Sequence, residues 1–152
     1  MPHIHDKIDF TVEVFVVHGN KVLLRKHDKY KFWLSVGGHI ELDEDPNEAA
    51  MREVKEEVGL DVVLYDNSEH LPKTDKWKEL ISPVMMNRHR INESHEHVTF
   101  VYFAKSKTDK LILQESEKGE CKWFTKKELS DKSFGIKDEV SFYASMALDK
   151  LN

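Results

Sequence analysis

The sequence predicts an α/β fold in which helices cover the faces of a mixed sheet. Three observations carry this reading: several short apolar runs separated by turn signals, a central helix with both ends marked, and a second helical pattern near the C-terminal end. Taken in order, Met1 to Asp9 is polar and reads as a solvated, mobile end, with adventitious metal binding by His3 and His5 as the competing reading. From Phe10 the chain turns strand-like, with Phe10, Val12, Val14, Phe15, Val16 and Val17 ahead of His18-Gly19-Asn20. Lys21 to Lys26 then resumes with Val22, Leu23 and Leu24. Two apolar runs around a short turn predict an antiparallel hairpin. A further short segment, Phe32, Trp33, Leu34 and Val36, ends at Gly37-Gly38.

The next signal predicts a helix over Pro46 to Val58. Asp45 stands before Pro46 with Glu48 three residues on, the pattern of an N-terminal capping box with proline at the first helical position. Gly59 supplies the stop. Leu60 to Tyr65 reads as a strand, Asp66 to Lys78 as a long polar loop bordering an active site, and Leu80 to Met86 and Val98 to Ala104 as later strands. Between those two strands, Asn87 to His97 reads as a charged connection that can place polar groups at one sheet end. Ser106 to Lys110 is turn-like, and Cys121 to Phe124 is a strand leading into a short helix capped by Thr125. The segment Lys137 to Leu151 spaces Val140, Ala144, Met146, Ala147 and Leu151 for helical packing.

A chain of 152 residues with 39% apolar content can build one core without disulfides, so residues 1–152 are expected to form a single domain. The lone Cys121 excludes an intramolecular disulfide. With no basic, apolar leader and no spanning apolar run, the cytoplasm is the expected location and no membrane partner is expected. The formal net charge of -5 argues against stable nucleic-acid binding, which needs clustered cations. Small phosphorylated ligands stay open, because a metal ion reconciles an acidic site with an anionic substrate.

On a wheel of about 100° per residue, Ala50, Val54 and Val58 fall at about 0°, 40° and 80°, while Glu53, Glu56 and Glu57 fall near 300°, 240° and 340°. One side of the helix therefore suits a sheet and another gathers carboxylates. Such acids oppose one another's ionisation unless a cation relieves the conflict, and carboxylate oxygens suit the hard cation Mg²⁺. The competing reading is an ordinary solvated face rich in glutamate.

Gly38, Glu44, Arg52-Glu53-Val54, Glu56-Glu57 and Gly59-Leu60 together resemble the signature of the Nudix hydrolases, with Gly37 and Gly38 at its start. The motif spans 23 positions, from Gly38 to Leu60, and fixes many identities within them. The resemblance implies an α/β/α sandwich with a mixed central sheet. It also implies hydrolysis of a nucleoside diphosphate linked to another moiety, with Mg²⁺ or sometimes Mn²⁺. Carried over by position, it makes Glu53, Glu56 and Glu57 the acidic metal site, with the backbone carbonyl of Gly37 as a further ligand. Glu44 would organise the metal, the water or the loop-helix junction, and Arg52 would orient the acids. Glu53 and Glu57 belong to the catalytic set, with Glu53 the first choice for activating water. Family members differ in the base they use, some taking a motif glutamate and others an acid on a later loop. Homodimerisation is a further expectation of the resemblance.

Outside the helix, Glu96 and Glu93 are candidates for an added ligand or base, and Arg88 or Arg90 for holding phosphate. Arg25, Gly38 and Trp33 are the substrate-binding candidates. Arg25 resembles the basic residue that contacts phosphate in several family members, with a salt bridge at the sheet end as the alternative. Trp33, Phe32, Trp77 and Tyr65 offer rings for stacking on a nucleobase or for the core. Met85-Met86 reads as core or pocket lining. His39 either shapes the substrate site or serves only its loop. His89, His95 and His97 can shuttle protons, but their spacing does not establish a zinc site, and a structural zinc is not expected.

These features favour hydrolysis of a nucleoside or modified nucleoside triphosphate. ADP-ribose or another nucleotide sugar is the alternative substrate, and a nucleotide sensor of weak turnover is the alternative class. Isoprenoid diphosphate isomerisation on this fold calls for a cysteine near the glycines, and Cys121 is far from them. An RNA-cap substrate finds no separate RNA-binding extension, and no dinucleotide or P-loop fingerprint is present.

Overall fold

The computed structural model describes residues 3–29, 31–114 and 119–151. Two long strands form its spine. β1 (Ile8–His18) and β7 (Glu96–Ser106) pair in parallel through ten positions, from Ile8 opposite Glu96 to Val17 opposite Lys105. Their inner stretches, Val14 to Val17 and Phe100 to Ala104, run continuously apolar, as strand segments covered on two faces require.

The hairpin holds as expected, with β2 (Lys21–Lys26) antiparallel to the end of β1. β2 also pairs with β3 (Trp33–Leu34) and with β8 (Cys121–Thr125). On the same edge of β1, its first half pairs with β4 (Val36–His39), setting Thr11 opposite His39 and Glu13 opposite Gly37. The glycine pair therefore lies inside a strand rather than ending one. The far edge of β7 carries β5 (Val62–Leu64) and β6 (Met85–Arg90).

Alternation along β1 sorts the core. Val12, Val14 and Val16 face α1 (Pro46–Val58), where Ala49, Ala50, Val54 and Val58 are fully buried against them. Phe15 and Val17 face α3 (Asp138–Leu151), meeting Val140, Ala144, Ala147 and Leu148. The result is the expected α/β/α sandwich with a mixed sheet.

Helix α1 has the predicted bounds. Asp45 Oδ1 accepts from the Glu48 amide at 2.9 Å and Glu48 Oε1 accepts from the Asp45 amide at 3.2 Å. At the other end Gly59 takes the left-handed conformation, φ 74°, and its N–H closes on the Lys55 carbonyl. Buried Asn47 ties the helix start to the long connection after β5, donating to the Ile81 carbonyl and accepting from its N–H. Thr125 caps α2 (Lys126–Leu129) with a second capping box, and a 3₁₀ turn (Lys132–Phe134) leads on toward α3.

Several expectations are corrected. The strand expected over Leu80 to Met86 begins only at Met85 and continues through Asn87–Arg90, so most of the charged connection belongs to strands; Glu96 and His97 open β7. Polar residues occur there because β6 is largely exposed, and Met85 and Met86 are exposed with it rather than in the core. Met1 and Pro2, part of the expected mobile end, lie outside the described residues. From His3 onward that end is pinned: the buried Asp9 carboxylate accepts the His5 amide at 2.7 Å and the Ile4 amide at 3.2 Å.

Candidate active site

The acids of α1 do not form a solvated face. Glu53 and Glu57 are 5% and 8% exposed, because α1 packs the side bearing them onto β4. Only Glu56 of the three stands in solvent. At about 340° on the wheel, Glu57 lies close to the apolar arc, which is why it is buried with Val54 and Val58.

Glycines make this packing possible. The Gly37 amide donates to Glu57 Oε1 at 3.2 Å, and a methyl group at Gly37 would overlap the Val12 carbonyl oxygen across the β1–β4 pair. A methyl group at Gly38 would overlap Glu53 Oε1. The two obstacles differ in kind, one backbone and the other the end of a flexible side chain. Gly37→Ala is thus expected to be strongly destabilising. Gly38→Ala is expected to fold with a loss under about 2 kcal/mol but to lose at least about tenfold in turnover, because Glu53 must rotate away. Thermal unfolding beside steady-state kinetics checks the contrast, and equal stability losses in the two variants would refute it.

Two arginines organise the acids. Arg52 forks onto Glu44, with Nε to Oε2 at 2.9 Å and Nη2 to Oε1 at 2.6 Å. It also donates to Glu53 Oε1 at 3.0 Å, Glu56 Oε2 at 3.2 Å and the His39 carbonyl at 3.0 Å. Arg25, reaching from β2, donates to Glu57 Oε2. Burial pushes the Glu53 carboxyl up despite Arg52. It pushes Glu57 up to about 8, with Arg25 opposing and Glu53 reinforcing the rise. Glu44 is held below the usual carboxylate range, first by its hydrogen bonds from Arg52. Two carboxyls raised chiefly by burial are relieved by a cation beside them, and the carboxylate oxygens of Glu53, Glu56 and Glu57 suit a hard divalent one.

These residues surround a cleft of about 410 Å³ that Arg25, His27, Gly37, Gly38, His39, Arg52 and the three helix glutamates border. Leu34 and Ser35 connect it through a hollow of about 170 Å³. Beyond Leu34 lies a side pocket of about 450 Å³ lined by Glu13, Asn87, Arg88, His89, Lys137 and Tyr143 among others. Glu13 was not singled out in the sequence, where it is one polar residue in an apolar strand. Burial first, then the nearby Glu139 carboxylate, pushes its carboxyl up to about 7. A carboxyl raised in the folded state loses protein stability as pH rises from its unfolded value, near 4.5, through about 7. Glu13→Gln, neutral throughout, is therefore expected to exceed wild type by on the order of 1–3 kcal/mol at pH 8 and to match it at pH 4.5. Chemical denaturation at the two pH values measures this, and an advantage independent of pH would contradict it.

Other candidates lie elsewhere. Glu96 is held by Arg88 through two hydrogen bonds, at 2.8 and 2.9 Å, and does not border the carboxylate cleft. Trp33 is not available for stacking on a base: it is 4% exposed, with its ring edge-on to Phe124 at 5.0 Å in the α3-side core. Trp33 points into that core, and Leu34, partly buried against it, borders the cleft. Trp77 is exposed, and Phe32 carries the Lys137 ammonium 3.9 Å from its ring centre.

A group that spacing within one segment could not reveal stands beside the cleft, at the start of β1. His3, Asp9, His95 and His97 bring ligand-type atoms within 4.8 Å of one another. His39 joins them, with Nε2 at 3.1 Å from Asp9 Oδ2. Burial, then the facing histidines, holds the His97 imidazole down to about 4. Among the described residues, no helix is long and apolar enough to cross a membrane.

Comparison with known proteins agrees with this geometry. The NUDIX domain model matches residues 8–145. A crystal structure of a NUDIX-family hydrolase from Clostridium perfringens is 36% identical, covering 95% of this chain and 98% of that one with a TM-score of 0.83. A MutT NUDIX hydrolase from Burkholderia pseudomallei is 19% identical with a TM-score of 0.63, over 97% of this chain and 100% of that one, and shares the fold. Dihydroneopterin triphosphate diphosphatase of Escherichia coli (strain K12) is 44% identical over 57 residues, and the chain covers only 38% of that relative's length. With the motif, the sandwich and the glycine-carboxylate packing in place, the model match over nearly the whole chain shows that it belongs to the NUDIX hydrolase family.

Proposed function

We propose that this protein hydrolyses a pyrophosphate bond in a nucleoside triphosphate or a modified, nucleotide-like triphosphate, using Mg²⁺ or Mn²⁺. The observation that carries the reading is the convergence of Glu53, Glu56 and Glu57 on a cleft that also holds Arg25. These three acids, with the Gly37 carbonyl, hold the cation. When bound, it polarises phosphoryl oxygens and lowers the pKa of water. Arg25 changes partner from Glu57 to a phosphate oxygen, keeping its charge at every working pH. Glu53 takes the proton of the attacking water, and its raised affinity for a proton suits that task. Arg52 fixes the carboxylates in register.

The side pocket supports a heterocyclic organic group. Leu34 borders both the cleft and the pocket, so one ligand can span them, and Glu13 and Asn87 there offer hydrogen bonds to the edge of a base. Relatives named dihydroneopterin triphosphate diphosphatase place a bicyclic heterocycle with a triphosphate in the test panel. A homodimer, carried by the family resemblance, and a cytoplasmic setting, carried by the sequence pattern, belong to the same proposal.

The test is product-resolved hydrolysis with Mg²⁺. The panel comprises nucleoside triphosphates, modified nucleotides, dihydroneopterin triphosphate, ADP-ribose and dinucleoside polyphosphates. Release of pyrophosphate from a triphosphate is expected. Metal-independent ligand binding without product would favour the sensor reading, and cleavage confined to ADP-ribose would move the substrate to the nucleotide sugars.

A further inference from the structure

Asp9 and its histidines pose a hydrogen-bonding problem that protein atoms do not solve. Three imidazole nitrogens converge on one oxygen, Asp9 Oδ2: His3 Nδ1 at 3.2 Å, His39 Nε2 at 3.1 Å and His95 Nε2 at 3.2 Å. That oxygen already accepts the Ile4 amide. His95 is 3% exposed and its tautomer is constrained, because Nδ1 lies 3.0 Å from the Asp6 carbonyl and must donate to it. In the neutral ring Nε2 is then a bare lone pair facing a carboxylate oxygen, two acceptors at contact distance. Nε2 of His39, His95 and His97 are all buried without a hydrogen-bond partner.

A proton on His95 turns its Nε2 into a donor to Asp9 but does not relieve the whole cluster, because the buried Nε2 of His97 stays without a partner. One cation lying between the acceptors relieves it. Tetrahedral bonds of about 2.0–2.1 Å to nitrogen and oxygen separate neighbouring ligand atoms by about 3.3 Å. His3 Nδ1 and His95 Nε2 stand at 3.2 Å from Asp9 Oδ2, and His97 brings a ring nitrogen within 4.8 Å of the other three ligand atoms. The His95 ring also carries the usual support of a ligand imidazole, its second nitrogen fixed on a backbone carbonyl.

The geometry points to a second metal site, adjoining the carboxylate cleft at His39, in which Asp9, His95, His97 and His3 bind a borderline transition-metal ion of the Zn²⁺ class. Imidazole nitrogens with one carboxylate select such an ion, whereas the helix carboxylates Glu53, Glu56 and Glu57 suit Mg²⁺. The fold assembles the ligands without a sequence motif. The parallel β1–β7 register sets Asp9 opposite His97, and the turn before β7 presents His95. His3 folds back over them, its ring 3.6 Å from that of His95. Because Ile4 borders a hollow formed with Glu41, Leu42, Asp43 and Glu44, an ion here clamps the N-terminal segment beside the loop that leads into α1.

The test uses the full chain after chelator treatment, titrated with Co²⁺ and Zn²⁺ while Mg²⁺ is held in excess to fill the cleft. One equivalent of Co²⁺ is expected to give the intense visible absorption of a tetrahedral nitrogen-oxygen site, displaced by Zn²⁺, and Zn²⁺ is expected to raise the unfolding temperature. Glu53→Gln with Glu57→Gln should leave both readouts intact. His97→Gln and the more exposed His3→Gln should each weaken Zn²⁺ binding more than the roughly 10–100-fold that loss of a supporting group costs. His3→Gln, which removes a half-exposed side chain, keeps the test valid if the buried substitution unfolds the protein. Unchanged affinity in His3→Gln and His97→Gln, octahedral Co²⁺ absorption, or loss of binding in the glutamate variant would each overturn the proposal.

Discussion

Glu57→Gln is expected to reduce turnover by at least about 10²–10³-fold while leaving the metal-free protein folded. Glutamine keeps an oxygen to accept the Gly37 amide, and it resembles the protonated carboxyl that burial already favours up to about pH 8. The sign of the pH effect follows. Wild type without metal loses stability as pH rises from the carboxyl's unfolded value, near 4.5, toward about 8, because a carboxylate is forced into a buried place. Glu57→Gln does not suffer that loss, so the two proteins should unfold at similar temperatures near pH 5, with the variant the more stable at pH 9. Mg²⁺ should reverse the order at pH 9, since an ion that binds only the folded state stabilises wild type and not a variant lacking a ligand. Unfolding scans with chelator and with Mg²⁺, beside turnover, give all three results. A variant that kept its turnover, or its stabilisation by Mg²⁺, would remove Glu57 from the proposed metal set. Glu53→Gln should show the same loss of turnover, because its carboxyl is also raised by burial.

What could be read from the sequence depended on how local the signal was. Helix α1 was legible from end to end, because its limits are set by neighbours in sequence: Asp45 with Glu48 at one end, and Gly59 at φ 74° at the other. The acids were legible as a registered set, but their burial was not. A helical wheel shows which residues share a face, whereas the depth of Glu53 and Glu57 depends on β4 having no side chains at Gly37 and Gly38. Trp33 was open between cleft and core because β3 is only two residues long, too short for alternation to declare its faces. The histidines were noticed one segment at a time, and a structural zinc was not expected of them; their convergence was hidden for a different reason. The group's members stand at 3, 9, 39, 95 and 97, and parallel pairing between β1 and β7 leaves no turn in the sequence to announce it.

Removal of Arg52 should separate positioning from substrate binding. Its guanidinium satisfies Glu44 through a two-pronged pair and simultaneously reaches Glu53, Glu56 and the His39 carbonyl. Arg52→Ala leaves buried Glu53 and largely buried Glu44 without their counter-charge, so a stability loss of about 2–4 kcal/mol is expected. Turnover should fall by about 10²-fold, because the carboxylates must share one geometry to hold the ion and accept the proton. Arg52→Lys restores a charge but not the planar fork, so it should recover part of the stability and little of the turnover. The split between kinetic constants decides the role. A residue that only arranges acids lowers kcat and weakens Mg²⁺ binding while KM for the nucleotide stays within about twofold. A large rise in KM at saturating Mg²⁺ would instead put Arg52 on the substrate, and Glu44 would then have to orient the loop-helix junction without its partner.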